Sequence, residues 1–227
     1  MGNSHGRGII VSKRGGVFVT ANVRKTIKVQ VPDFSHHRTV TRRDIQLLDE
    51  SWAFVTEGVG YERSKRSDGR SSSMTTSTSA VGYFYDTFFE RLFELAPDTK
   101  KLFRSSMVVQ GRALIHIVGA IKNILKSPDS IKTAQELAAR HVKYGVKLHH
   151  FNALGTAMIQ TVERCCGEQW TIEMRRAWTH VFVHIVYLMA PVIVAAEKKL
   201  KKTERQKKPP RNNVAPTPLQ NPHVLAK

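Results

Sequence analysis

Residues 134–141 read Ala-Gln-Glu-Leu-Ala-Ala-Arg-His, and this stretch carries a clear structural pattern. Its apolar members and His141 follow the i, i+3, i+4, i+7 spacing of one helix face, which places the histidine on an apolar surface. A histidine in such a place is most often a packed core residue. It can also act as a metal ligand, because a neutral imidazole has one free ring nitrogen.

A second helix, predicted over residues 107–125, carries a complementary pattern. Leu114 and four further apolar residues form a stripe, and Gln110 lies on the same side one turn earlier. A buried glutamine without a partner would cost about 1–3 kcal/mol. Two nitrogen-bearing side chains on facing apolar helices would suit a flat apolar cofactor such as haem between them. His141 would then ligate the iron, and its other ring nitrogen would donate to a carbonyl or hydroxyl group.

The rest of the chain is also helical in pattern. Residues 41–44 resemble a capping box, and Pro97 opens a tight turn of helix that ends near Phe103. Further helices are predicted after residue 41, from residue 81 to Pro97, over 131–144, over 151–166 and from residue 171 onward. No segment of the core alternates convincingly as a strand does, so we predict an all-α domain.

The formal net charge of +18 is concentrated at the two ends of the chain. Residues 1–43 hold nine Lys and Arg against one Asp, residues 197–227 hold nine against two Glu, and the middle is nearly balanced. We predict a disordered basic N-terminal extension over 1–40, a folded domain over 41–200 and a basic tail over 201–227. A Ser- and Thr-rich stretch predicts a disordered insertion over 57–80.

Several classes of protein are disfavoured. Cys165 and Cys166 are the two cysteines, and adjacent cysteines do not readily form an unstrained disulfide, so a cytoplasmic setting is expected over a secreted disulfide framework. The run 181–196 contains His184 and Pro191 and is shorter than a membrane span, which favours a buried helix. Basic clusters without interleaved aromatic residues make nucleic acid an unfavoured partner.

Residues 42–56 and 81–196 resemble the globin family almost throughout. The motifs that carry the resemblance are Ser51-Trp52, Phe84-Tyr85-Asp86-Thr87-Phe88-Phe89-Glu90-Arg91-Leu92-Phe93, Pro97 six residues before Phe103, Gln110-Gly111, Val118-Gly119-Ala120-Ile121, Leu137-Ala138-Ala139-Arg140-His141, Gly145-Val146, Phe151, Gly155, Trp170-Thr171 and Ala177-Trp178. Their order and spacing imply a globin fold. Relative to the family, the chain would have a long insertion between helices A and B, a shortened CD–D region and basic extensions at both ends.

The resemblance implies one haem b and a defined pocket. His141 corresponds to the proximal ligand of the iron, and Gln110 stands on the distal side, where it would face the bound gas. Phe103 is implied to stack on the porphyrin. The other implied pocket residues are Leu137, Val146 and Phe151 on the proximal side and lower wall, and Phe89 and Leu114 on the distal side.

Two departures from the common family pattern bear on function. The distal residue is Gln110 rather than His, which disfavours an internal bis-histidine state although the chain is also similar to neuroglobin. Phe103 and Gln110 are seven residues apart, and this short connection resembles single-domain globins related to flavohaemoglobins. Those globins typically have Tyr where this chain has Phe89, and a phenylalanine cannot supply that hydrogen bond to oxygen.

The function that the resemblance implies is reversible binding of oxygen or another diatomic gas at haem iron, in oxygen or redox sensing or signalling. The alternative is a haem redox enzyme or electron-transfer protein, such as a nitric-oxide dioxygenase, nitrite reductase or peroxidase-like protein. Because no flavin or nicotinamide domain follows in this sequence, that alternative needs an external reductase. We expect the non-enzymatic oxygen-binding protein ahead of the enzyme.

The chain begins Met1-Gly2-Asn3-Ser4, like a myristoylation signal with Gly2 as the acceptor, although Gly6 stands where Ser or Thr is usual. A single acyl chain binds membranes only marginally, so the basic tails would have to add attraction to an anionic membrane surface. We therefore expect a cytoplasmic protein that can be tethered to a membrane. Unmodified, solvated tails are the alternative.

Overall fold

The computed structural model describes residues 9–11, 17–62, 79–103, 106–127 and 129–207. Two short strands, β1 (Ile9–Val11) and β2 (Val17–Val19), pair antiparallel. The longer helices are α1 (Ala21–Gln30), α2 (Arg42–Glu57), α3 (Ala80–Leu95), α4 (Met107–Lys126), α5 (Ser130–Lys143), α6 (His150–Cys166) and α7 (Ile172–Lys207). Short 3-10 helices lie at Pro32–Phe34, Pro97–Leu102 and Gly167–Gln169. The all-α prediction for the folded domain is confirmed, since the described residues after 19 contain no strand.

The connections between helices also agree with the sequence. A long segment separates the end of α2 at Glu57 from the start of α3 at Ala80, as the predicted insertion requires. The link from the 3-10 helix Pro97–Leu102 to the start of α4 at Met107 is short. The predicted shortening between these two elements is therefore present.

Helix α2 begins at the predicted capping box. Thr41 Oγ1 accepts the N–H of Asp44 at 3.1 Å, and Asp44 Oδ2 accepts the N–H of Thr41 at 2.7 Å, so both groups are satisfied at the helix N-terminus. His180 Nδ1 donates to Asp44 Oδ1 at 3.1 Å and links α2 to α7. Burial raises the pKa of Asp44, but the hydrogen bonds from Thr41 and His180 outweigh it and hold that pKa below its ordinary value.

The core is built around α7, which packs against α2, α5 and α6. Its buried apolar residues include Val181, Val183, Val186, Leu188 and Ile193. By length and composition alone α7 could cross a membrane, yet 56% of its apolar window is buried inside the protein. The prediction of a buried helix over residues 181–196 is confirmed, and the helix continues through Pro191.

The expectation of disorder over residues 1–40 is wrong for residues 9–11, which form β1, and for residues 17–40. Apolar side chains of residues 17–40 are buried where β2, α1 and the 3-10 helix at Pro32–Phe34 pack against the core: Val19, Val23, Ile27, Val31 and Phe34. Each apolar patch is too short to form a core of its own, which is why local composition indicates disorder. On the surface of α6 and α7 the same side chains are removed from water, which stabilises the segment by about 25 cal/mol per Å² of apolar area.

Polar contacts fix this N-terminal segment to α6 and α7. Asn152 Nδ2 donates to Asp33 Oδ2 at 2.8 Å, and the Asp33 N–H donates to Asn152 Oδ1 at 3.1 Å. The hydroxyl group of Tyr187 donates to the carbonyl group of Ser35 at 2.7 Å, and this bond is buried. The partners are 119 and 152 residues apart in the chain, so no local sequence pattern indicates them.

Gly155 of α6 makes room for an aromatic contact between the N-terminal segment and α7. The rings of Phe34 and Phe182 meet edge to face, with centroids 4.8 Å apart. A Cβ atom on Gly155 would lie 2.4 Å from Phe182 and 2.6 Å from Phe34. A side chain at this position would therefore push the two rings away from α6.

The insertion expected over residues 57–80 begins with an ordered helical turn at residues 59–62. Tyr61 is buried there, and a Cβ on Gly60 would lie 2.5 Å from the carbonyl oxygen of Arg164. Disorder is therefore the wrong expectation for this turn. The disorder predicted for residues 63–78 lies outside the described part of the chain.

The boundary predicted at residue 200 between the folded domain and the basic tail differs from the one in the structure. Helix α7 continues without interruption past residue 200 to Lys207. Residues 201–207 therefore belong to a helix rather than to a tail. The tail predicted over 208–227 and the lipidation predicted at Gly2 lie outside the described residues.

We expect the substitution Gly155→Ala to lower the free energy of unfolding by about 1–3 kcal/mol, because the added methyl group overpacks the Phe34 and Phe182 contact. Gly119→Ala is the matched control, since a Cβ there would lie 3.5 Å from Trp52 Nε1, an ordinary contact distance. Urea unfolding measures both. Equal stabilities for the two variants would contradict the tight packing at Gly155.

A histidine pair also joins the N-terminal segment to α7. His37 Nε2 and His184 Nδ1 lie 3.1 Å apart, and the His37 ring packs on Tyr187 with centroids 4.9 Å apart. Burial, together with the smaller effect of nearby His37, lowers the pKa of His184 to about 4. Burial also lowers the pKa of His37. Both rings are therefore neutral in the folded protein at neutral pH.

This pair predicts a loss of stability in mild acid. In the unfolded chain the pKa of each histidine returns toward 6.5, so below that pH the unfolded state binds more protons and the fold weakens as pH falls toward about 4. Between about pH 7 and about pH 5, wild type should lose about 1–2 kcal/mol more than His184→Asn, which is polar but does not titrate. Urea unfolding at the two pH values measures the difference. Identical losses in both proteins would assign the acid sensitivity elsewhere.

Candidate cofactor-binding site

His141 lies in the last turn of α5 and is half-buried. Its Nδ1 atom is 2.8 Å from the carbonyl oxygen of Leu137, one turn earlier in the same helix. A carbonyl oxygen only accepts hydrogen bonds, so Nδ1 carries the ring proton and Nε2 of the neutral ring keeps its lone pair. The donation to a carbonyl that the sequence predicts is therefore present, and it leaves Nε2 available to a metal.

The chain turns after α5 and brings Phe151 into the same region. The Val146 N–H donates to the His141 carbonyl at 3.0 Å, and Gly145 between them has a φ of 87°, a conformation that favours glycine. Phe151 is buried in the first turn of α6, with its ring centroid 6.5 Å from that of His141. Leu137 and Val146 are half-buried. The residues predicted for the proximal side thus lie around one turn of the chain.

Three phenylalanines form a cluster between α3 and the segment that follows the 3-10 helix. Phe89 and Phe103 meet edge to face with centroids 5.0 Å apart. Phe93 lies 5.8 Å from Phe89 and 5.6 Å from Phe103 by the same measure. The sequence prediction included Phe89 and Phe103 but omitted Phe93. Its i+4 spacing from Phe89 on one helix is the signal that could have found it.

Gln110 and Leu114 lie one turn apart on α4, and both are half-buried. Gly111, next to Gln110, lets α4 approach α3, because a Cβ on it would lie 2.5 Å from the ring of Tyr85. Helix α4 also contacts α5, which carries His141. The two helices predicted to face the cofactor are therefore neighbours in the fold.

The apolar stripe that follows Gln110 along α4 is incompletely covered by protein. Ile117 is 41% exposed, and Leu114, Ile121 and Leu125 are only partly buried. Most apolar side chains of α7 between Val181 and Val194, by contrast, are buried. A flat apolar macrocycle would cover such a stripe, and His141 Nε2 would be the nitrogen that holds its iron. The residues present therefore fit haem.

A second cluster of ligand-type side chains fits a structural role better than a metal. Asp98, His149 and His150 offer three ligand atoms within 4.8 Å of one another. However, His150 Nδ1 accepts the Lys147 N–H at 3.1 Å, so its proton lies on Nε2 and is donated to Asp98 Oδ2 at 3.1 Å. A metal would need that Nε2 lone pair. The hydrogen bond from His150 is the main cause that lowers the pKa of Asp98.

The two cysteines are buried free thiols at the end of α6. Burial raises the pKa of Cys165 and of Cys166 to about 12. Neither is a thiolate at neutral pH, and the thiolate is the reactive form. Their role in this structure is packing rather than redox chemistry.

Comparisons with known proteins point to one family. A family model described as Globin matches residues 86–189. An anaerobic nitrite reductase from Oryza sativa subsp. indica is 32% identical over 103 residues, which is 42% of this chain and 70% of that protein. Another from Gossypium hirsutum is 27% identical over 115 residues, 44% of this chain and 71% of that protein. A flavohemoprotein from Rhizobium meliloti (strain 1021) is 22% identical over 107 residues, which is 45% of this chain and 27% of that protein.

A solved structure shares the overall fold. It is an engineered carbene transferase derived from a Rhodothermus marinus protein that is named as a nitric oxide dioxygenase. The TM-score is 0.53 at 15% sequence identity, and the match covers 72% of this chain and 99% of that one. At this identity the likeness supports the fold alone. The family match includes His141 and Gln110, whereas α1 and the end of α7 lie outside it.

Proposed function

Because the chain belongs to the globin family, we propose that it holds one haem b, with His141 as the proximal iron ligand and Gln110 facing the bound gas. In this proposal the chain reversibly binds dioxygen or another diatomic gas, in oxygen or redox sensing or signalling within the cytoplasm. One observation carries it. The hydrogen bond of 2.8 Å from His141 Nδ1 to the Leu137 carbonyl leaves Nε2 free to ligate iron.

The residues of the site would contribute in distinct ways. The bond from His141 Nδ1 to Leu137 fixes the tautomer and orientation of the ring and makes Nε2 a stronger donor to the metal. The side-chain N–H of Gln110 can donate to the partial negative charge on oxygen. Phe103 and Leu114 would contribute apolar surface that excludes water. When bound, haem supplies the iron coordination position at which a gas is held.

A visible absorption spectrum of the haem-loaded protein tests the proposal. We expect a five-coordinate ferrous spectrum that converts fully to a carbon monoxide complex. His141→Ala should lose haem or change that spectrum, because the axial nitrogen is removed. His116→Ala is the matched control, since His116 is an exposed histidine on α4. A His141→Ala spectrum identical to wild type would rule out His141 as the ligand, and a six-coordinate ferrous spectrum would contradict an open gas site.

A haem redox enzyme is the second candidate, and the names of the relatives favour it. The two plant proteins are named anaerobic nitrite reductases, and the structural neighbour derives from a protein named as a nitric oxide dioxygenase. Reduction of nitrite to nitric oxide takes one electron and two protons and releases water. An external reductase would have to supply that electron for each turnover.

Anaerobic incubation with nitrite distinguishes the two candidates. With a flavin reductase and a nicotinamide cofactor present, the gas-binding protein should stop once each ferrous site has reacted, because nitric oxide stays bound. An enzyme should release nitric oxide continuously, in an amount that greatly exceeds the protein. A nitric oxide electrode measures the yield, with His141→Ala as the control. Sustained release that depends on His141 would assign the protein to the enzyme class.

A further inference from the structure

The last turns of α7 extend beyond the body of the protein. Glu197 still bonds to the body of the protein, because its Oε1 accepts the N–H of Leu148 at 2.8 Å. Every residue from 198 to 206 is exposed, although the helix continues to Lys207. We name residues 198–207 the basic extension. At a rise of about 1.5 Å per residue it is about 15 Å long.

The cations of the basic extension lie mainly on one side of the helix. Lys198, Lys201, Lys202 and Arg205 follow the i, i+3, i+4, i+7 spacing and so form one stripe within about 100° of arc. Leu200, which is 60% exposed, and Glu204 lie away from this stripe. Among the described residues, none of the four cations is paired with a carboxylate. These four of the six cations in the extension therefore form a continuous positive stripe without a carboxylate partner, and the other two cations are Lys199 and Lys207.

We propose that this stripe binds the anionic surface of a lipid bilayer. A bilayer presents a plane of negative charge, and a stripe along one side of a helix places all four cations against such a plane. Each Lys or Arg near an anionic membrane surface contributes separately to binding, so four together give substantial attraction. Leu200 is the one apolar residue of the extension, so the helix lies at the headgroups and is released by salt.

The composition of the stripe argues against two other partners. Protein interfaces are enriched in aromatic anchors and depleted in Lys, whereas this stripe holds three Lys and no aromatic residue. A helix in a nucleic-acid groove has phosphates on both flanks, which would bring Glu204 toward negative charge. Single-stranded binding uses aromatic stacking, and the extension has no aromatic residue.

A second basic surface supports the same partner. Arg24, Lys25 and Lys28 of α1 are exposed, and α1 contains no acidic residue. Helix α1 packs on α7, the helix that carries the basic extension. Neither α1 nor the basic extension lies within residues 86–189, so the positive surfaces lie outside the part of the chain that matches the family model.

The experiment uses the full-length, haem-loaded chain made in bacteria without an acyltransferase, so that Gly2 stays unmodified. Its binding is measured by co-sedimentation with phosphatidylcholine vesicles and with phosphatidylcholine vesicles that contain phosphatidylserine. The stripe variant replaces Lys198, Lys201, Lys202 and Arg205 with Gln. The control variant, of equal net charge, replaces four other exposed cations with Gln: Lys100, Lys101, Lys132 and Lys143. The haem spectrum shows that each variant is folded.

Wild type should bind the phosphatidylserine vesicles and lose that binding in high salt. Because each cation near the surface is worth about fivefold, the stripe variant should bind at least about tenfold more weakly, and the control should stay within about twofold of wild type. Equal weakening of stripe and control variants would show that only total charge matters and would overturn the proposal. Tighter binding of wild type to duplex RNA than to the vesicles, lost in the stripe variant, would instead assign the stripe to nucleic acid.

Discussion

Helix α7 is apolar on almost every side between Val181 and Val194, and the rest of the structure depends on covering it. A helix with this pattern is stable in water only if other elements surround it. Helices α2, α5 and α6 supply much of that cover. The N-terminal segment adds more, with Tyr187 held to Ser35 at its edge. The order of elements around α7 then decides where α4 and the cofactor site lie.

The cofactor site is the place where this covering of apolar surface is incomplete. Around α7 the side chains are closed off from water, whereas the stripe on α4 leaves Ile117 41% exposed. A ligand that covers this stripe would bind the folded state and not the unfolded chain, so it would also stabilise the fold. The proposed haem site would therefore be both the place of the chemistry and a part of the core that the protein does not cover by itself.

His141 connects the two aspects of the site. Its position on α5 follows from the helix itself, and its hydrogen bond to Leu137 is made within one turn. The direction of that bond determines which nitrogen is protonated, and so which nitrogen is open to iron. His150 shows the opposite arrangement. Its Nδ1 lone pair accepts the backbone N–H of Lys147, so the ring proton lies on Nε2, the atom that faces Asp98 and that a metal would need.

Local spacing alone was enough to predict the helices and the capping box of Thr41 and Asp44, because each joins residues within about one helical turn. The donation from the His141 ring to a carbonyl or hydroxyl group was expected because a metal-ligating imidazole needs it. The family resemblance implied the pocket residues, but it did not include Phe93, whose ring lies beside those of Phe89 and Phe103. The packing of residues 17–40 against the core could not be predicted from local spacing or from the family motifs. It depends on Asp33 meeting Asn152 and His37 meeting His184, across 119 and 147 residues of chain. Such contacts exist only after α6 and α7 have packed, since a short apolar patch gains its stability from the surface it lies on.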